Sequence, residues 1–223
     1  MPRGNLRARD VRPKPGPGPA SRAPAAPERD AAPRWLALLT LAASLEVFRI
    51  GFFADDFLFL DVARRIPLLE ALSGRHGVYP WYRPLSRELY FALIAHAGPA
   101  GIALAHALSI AALFGSAWLL FRIARRVVGE SAAPVAPVLL VSYAFTRFLT
   151  AWASGFQDLL GLLLTLLALD DFMRGRRLRS ALWVLLAPLA KETAFVAGPL
   201  VLMYAVLVQG GRRRGRIAAN PES

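Results

Sequence analysis

A succession of apolar stretches divided by short arginine-rich blocks constrains this chain more than any other feature. The stretches run over about Arg34 to Phe53, Ala97 to Phe121, Ala132 to Trp152, Phe156 to Phe172 and Ala181 to Val208. Most approach the roughly 20 residues that a helix needs to cross a bilayer core of about 30 Å. Apolar residues make up 56% of the chain and the mean hydropathy is +0.42, above the usual range for a soluble domain. The expected class is therefore an all-α, polytopic integral membrane protein with about six transmembrane or half-membrane helices. Residues 1–33 read as a disordered basic tail rich in Pro, residues 34–208 as the membrane module, and residues 209–223 as a second basic tail.

The net charge of +12 comes from 25 Arg and two Lys against 15 acidic residues. The arginines fall in clusters between apolar runs rather than on one continuous face, which points to topology and away from nucleic acid. If such clusters stay cytoplasmic, the N-terminus lies inside, and so do Arg122 to Arg126, Arg174 to Arg179 and Arg212 to Arg216. Asp55 and Asp56 then lie on the non-cytoplasmic face. The last stretch, Ala181 to Val208, must go out and return as a hairpin turning near Pro188 and Lys191-Glu192, or else run as one long tilted helix. Broken backbone at membrane depth is tolerated where it lines a polar cavity. No cysteine is present, so disulfides and thiolate chemistry are excluded.

The loop between the first two stretches is itself amphipathic. Phe57, Leu58, Leu60, Val62, Ile66, Leu68, Leu69 and Leu72 alternate with Asp61, Arg64, Arg65 and Glu70, as in a helix lying on a membrane surface. Leu85 to Ile94 reads as a second such segment.

Several residues in this frame bear chemistry. Asp55-Asp56 closes the first apolar stretch, where it reads either as a positioned carboxylate pair or as solvated stop residues capping the helix that begins at Phe57. Lys191 is the one lysine beyond the tail and sits inside an apolar stretch, where an ionisable group is a functional candidate by default. Its compact ammonium suits a lipid phosphate, while Glu192 beside it could neutralise it or bind a metal. Arg83, in the turn Tyr82-Arg83-Pro84, could clamp a phosphate, pair with the Asp dyad or pair with Glu88. Arg147, Gln157 and Asp158 flank an outer turn and could face the same cavity. His106 reads as a helix-packing residue, since His76, His96 and His106 lack metal-ligand spacing. Asp170-Asp171 adjoins an arginine cluster and reads as interfacial charge balance.

An Asp-Asp pair after the first hydrophobic helix, Tyr82-Arg83-Pro84-Leu85 in the first outer loop, and Lys191-Glu192 several helices later resemble the GT-C membrane glycosyltransferases. The likeness is closest to the protein O-mannosyltransferases and the transmembrane-TPR mannosyltransferases, and it spans about residues 35–208, the front half of such proteins. The resemblance implies transfer of a sugar from a polyprenyl-phosphate donor to an acceptor on the non-cytoplasmic side. Asp55 or Asp56, with Asp55 favoured, would act as general base. Lys191 and Arg83 would bind the donor phosphate, and Tyr82, Glu192, Gln157 and Asp158 would line the cavity. No required cofactor is visible, and a divalent metal is left open. The expected partners are the lipid-linked donor, membrane lipid, and a missing C-terminal part or partner subunit. A non-catalytic membrane protein, such as a transporter component or a scaffold for lipid-linked glycan, is the alternative.

Overall fold

The computed structural model describes residues 32–74 and 81–209, so most of the two basic tails lies outside the described residues. All regular structure among them is helical. α1 (Ala32–Ser44) gives way to a tight 3₁₀ turn, Leu45–Arg49, and then to extended chain through Phe53. The first apolar stretch is thus not one continuous helix. Among the described residues no ion pair joins Glu46 to Arg49, and both are exposed.

The first loop folds as α2 (Asp56–Arg65) and α3 (Leu68–Leu72), parted where Pro67 removes a backbone donor. A π-helical turn at Pro84–Glu88 then leads into α4 (Leu89–His96). Leu68 and Leu69 stay exposed on α3, as the amphipathic reading expects, whereas α4 buries Tyr90, Phe91 and Ile94 in the core.

α5 (Gly101–Val128) is the long unbroken element, 28 residues or about 42 Å of helix. It ends at Gly129, whose φ of 89° a side chain would resist. With the short turn before it, Gly98–Val128 is a single helix long and apolar enough to cross a membrane. The third apolar stretch is broken into α6 (Val135–Ser142) and α7 (Ala144–Ala151). α7 meets α8 (Phe156–Met173) through the turn Ala153–Gly155, and α7 and α8 together pass the same test only as a pair bent by 116°.

α8 is the central post. It packs against α5 on one side and α9 (Arg177–Ala190) on the other. α5 presents buried small residues, among them Ala105, Ser109, Ala112, Ser116 and Ala117, and small side chains of this kind let helix backbones approach closely. Beyond α9 the chain breaks at Lys191, which is fully extended at φ −158°, ψ 139°. A 3₁₀ turn, Glu192–Val196, starts the return through α10 (Ala197–Tyr204). Ala181 and Val184 of α9 share one cleft with Gly198 and Val201 of α10. The Tyr204 ring also meets Phe172 at the far end of α8, 6.3 Å between centroids. The last stretch is therefore a hairpin, and its turn falls at Lys191-Glu192 as the sequence suggests.

Candidate functional site

The end of α8 nearest its N-terminus gathers residues from four separate parts of the sequence. Trp152 leaves the α7 helix in extended conformation, and the chain turns back so tightly that a Cβ on Gly155 would lie 2.8 Å from the Leu149 Cα. Only glycine fits there, and the turn aims Ser154, Gln157 and Asp158 at three different neighbours.

Ser154 holds the first loop. Its backbone N–H and its hydroxyl both donate to Asp56 Oδ1, at 2.8 and 2.6 Å, and the Phe53 N–H donates to Asp56 Oδ2 at 3.1 Å. Asp56 is completely buried. Burial pushes its carboxyl above the ordinary 3.8, against the opposing hydrogen bonds from Ser154 and Phe53, and the adjacent Asp55 charge adds to the rise. Asp56 is thus a pin between the first loop and the start of α8.

Asp55 is placed differently. It stands at the N-cap of α2 but makes no capping hydrogen bond, so the capping role open to it from sequence is not taken. It is half-buried, and its Oδ1 is shielded from solvent without a hydrogen-bond partner. Ala54, just before it, has φ +53°, a conformation that costs a non-glycine residue free energy and that clusters at functional sites. Trp152 stacks on Phe53 at 6.3 Å and leaves its own indole Nε1 buried and unpartnered.

Gln157 and Asp158 hold the other two motifs. Arg83 donates to Gln157 Oε1 and forks onto Glu192, Nε to Oε2 at 2.8 Å and Nη2 to Oε1 at 2.6 Å. Lys191 Nζ sits 2.6 Å from each Asp158 oxygen. Lys191-Glu192 is therefore not an internal ion pair. Adjacent residues at an extended break face apart, so each charge finds a partner on another element. The turn that carries Arg83 is tied to the same break, because the Ser86 hydroxyl donates to the Ala190 carbonyl. Arg83 does not pair with Glu88, which is engaged by Arg87 at 2.8 Å.

Of the residues expected from sequence, Arg83, Gln157 and Glu192 form one hydrogen-bonded group and Lys191 and Asp158 a second beside it, joined through chain neighbours, and Asp56 is fixed to the same turn through Ser154. Tyr82 stands apart, donating from its hydroxyl to the Leu72 carbonyl at 2.8 Å. Arg147 is exposed beside Glu46. His106 packs as expected, its ring nitrogens 2.9 Å from the Ile50 carbonyl and 3.2 Å from that of Thr150. Among the described residues no three His, Asp or Glu side chains converge as a metal site. Ser154 and the strain at Ala54 were missed from sequence; the pair Ser154-Gly155 just before Gln157-Asp158 was the available signal.

No protein-family model, curated protein or solved structure matches the chain.

Proposed function

We propose that this chain is a multi-pass membrane glycosyltransferase that transfers a sugar from a polyprenyl-phosphate donor to an acceptor hydroxyl on the non-cytoplasmic side. The observation that carries the reading is the convergence at the start of α8, where the acid pair, the loop arginine and the lysine-glutamate break are joined by Ser154, Gln157 and Asp158. Packing alone has no need to bring three such distant polar motifs to one end of an apolar helix. Exposed Leu38, Leu41, Leu182, Leu185, Leu202 and Val206 support a lipid-embedded module that extends beyond the span Gly98–Val128.

In this reading Asp55 is the base. As the acceptor oxygen attacks the anomeric carbon, its proton passes to Asp55, and the bond from that carbon to the phosphate oxygen breaks. The lipid phosphate departs with the electron pair, stabilised by Lys191 and Arg83, and direct attack inverts the anomeric centre. Both cations are ion-paired in the protein as it stands, so the phosphate would draw Lys191 from Asp158 or Arg83 from Glu192. A divalent metal at Glu192 would likewise displace Arg83.

Those complete pairings also favour a second reading, in which the cluster is a fixed scaffold that holds lipid-linked glycan without transfer. Reconstitution in proteoliposomes with polyprenyl-phosphate hexoses and pentoses separates the two. Sugar appearing on an acceptor, and lost in Asp55→Asn, supports transfer; donor binding with no product under any acceptor supports the scaffold.

A further inference from the structure

A second candidate site lies in the first loop, away from the residues used above. α2, α3 and α4 enclose a groove of about 400 Å³, within the range of small-molecule sites. Phe59, Ile66, Ala71 and Phe91 form its apolar wall, and Arg64, Arg65, Arg87 and His96 also line it. Glu88 is the one carboxylate among its described lining residues.

The basic groups are not equally committed. Arg87 donates to Glu88 inside the protein. Arg65 meets Asp61 at 2.8 Å in a pair exposed to water, which is worth little. Arg64 is exposed and has no ion-pair partner among the described residues. An apolar slot with two weakly held guanidinium groups at its mouth is complementary to an amphiphile with one anionic head and a hydrocarbon tail.

We propose that this groove binds an anionic phospholipid of the surrounding bilayer, with one acyl chain along Phe59 and Phe91 and the phosphate on Arg64 and Arg65. The source is settled by where the groove lies. The same two helices expose Phe57, Leu58, Leu68 and Leu69, the last at 84% of its surface, so they rest in the interfacial zone where phospholipid is the abundant amphiphile. Each guanidinium at an anionic lipid headgroup contributes roughly a fivefold gain in binding. The inference rests on the membrane reading and not on the transfer chemistry, so it stands or falls separately from the proposed activity.

The test is native mass spectrometry of the full chain in detergent, with phosphatidylglycerol, phosphatidylcholine or polyprenyl phosphate added at equal concentration. The expected result is retention of phosphatidylglycerol over phosphatidylcholine by roughly 10- to 30-fold, the product of two such contributions. The double variant Arg64→Gln/Arg65→Gln changes exposed side chains only, and it should erase that preference while circular dichroism stays unchanged. Ala71→Trp, filling the groove, should reduce retention of both phospholipids. Equal retention of the two phospholipids by the native chain would overturn the proposal, as would a preference that survives the double variant. Displacement of phosphatidylglycerol by equimolar polyprenyl phosphate would reassign the groove to the donor lipid and overturn the choice of occupant.

Discussion

Asp55-Asp56 and Asp170-Asp171 are the same dipeptide at opposite ends of α8, and their surroundings differ in nearly every respect. Asp170 takes Arg122, Arg126 and Arg174 at 2.8 to 3.1 Å, and Asp171 takes Arg176, Arg179 and the Trp183 N–H. Arginine blocks that are far apart in sequence thus converge on one acidic pair. At the other end no arginine or lysine among the described residues pairs with Asp55 or Asp56. Asp56 is held by neutral donors, and Asp55 keeps a buried oxygen unused behind a strained Ala54. Phe156 and Asp170 are about 21 Å apart along α8, roughly two thirds of a bilayer core of about 30 Å. Asp170-Asp171 is a saturated structural clasp, whereas Asp55 alone keeps an unpartnered buried oxygen beside strained backbone, as the proposed base would.

That contrast breaks most sharply at Asp55. Asp55→Asn keeps the shape but cannot take a proton, so transfer should fall roughly 10²- to 10⁴-fold with the melting temperature unchanged. A variant that keeps full activity would make the first pair structural as well. Asp170→Asn should do the reverse. Three arginines would then face an amide, costing about 2–3 kcal/mol, less than the roughly 3–5 kcal/mol of a fully buried broken pair because the arginines keep some water. Thermal unfolding in detergent reads the loss, and residual folded protein should still transfer sugar.

Lys191→Met should weaken donor binding by roughly tenfold, the worth of a charge-assisted contact, and Lys191→Arg should recover part of it. Unchanged donor affinity with lowered stability would assign the Lys191–Asp158 pair to the scaffold, as at the arginine end. The smallest effect is at Asp56. Because burial raises its pKa above the ordinary 3.8, the folded state holds its proton more readily than the unfolded chain. Its contribution to stability is then greatest below about pH 4 and declines as pH rises through the raised value. Asp56→Asn should remove that decline and cost about 1 kcal/mol through the poorer acceptor it offers to Ser154. Melting curves of the two proteins, compared from pH 3.5 to 7, should diverge with this sign.

Much of the site was legible because charge in an apolar stretch is conspicuous. Lys191 stands out on composition with Glu192 beside it, Arg83 by its place in the Tyr82-Arg83-Pro84 turn and Asp158 by flanking an outer turn, and the break at Lys191 follows from Pro188 and two adjacent charges. The pairing was not legible. Lys191 and Glu192 are neighbours in sequence and look like a pair, yet the extended backbone sends them to Asp158 and Arg83. Helix continuity was also hidden, since an apolar profile reads the same through the 3₁₀ turn after Ser44 and the break at Tyr143 as through the unbroken α5. Ser154 carries no charge, and its only trace in the sequence is the turn-forming Ser154-Gly155 pair, which does not reveal Asp56 as its partner.

In the proposed topology the two acidic pairs lie on opposite faces of a membrane, Asp55-Asp56 outside and the arginine-saturated Asp170-Asp171 inside. The absence of native cysteine allows a direct test with Glu70→Cys on α3 and Arg177→Cys at the start of α9, both exposed positions. In sealed vesicles of known orientation, a membrane-impermeant maleimide should reach position 70 only from the non-cytoplasmic side and position 177 only from the cytoplasmic side. Labelling of both from the same side would put the two acidic pairs on one face and rule this topology out.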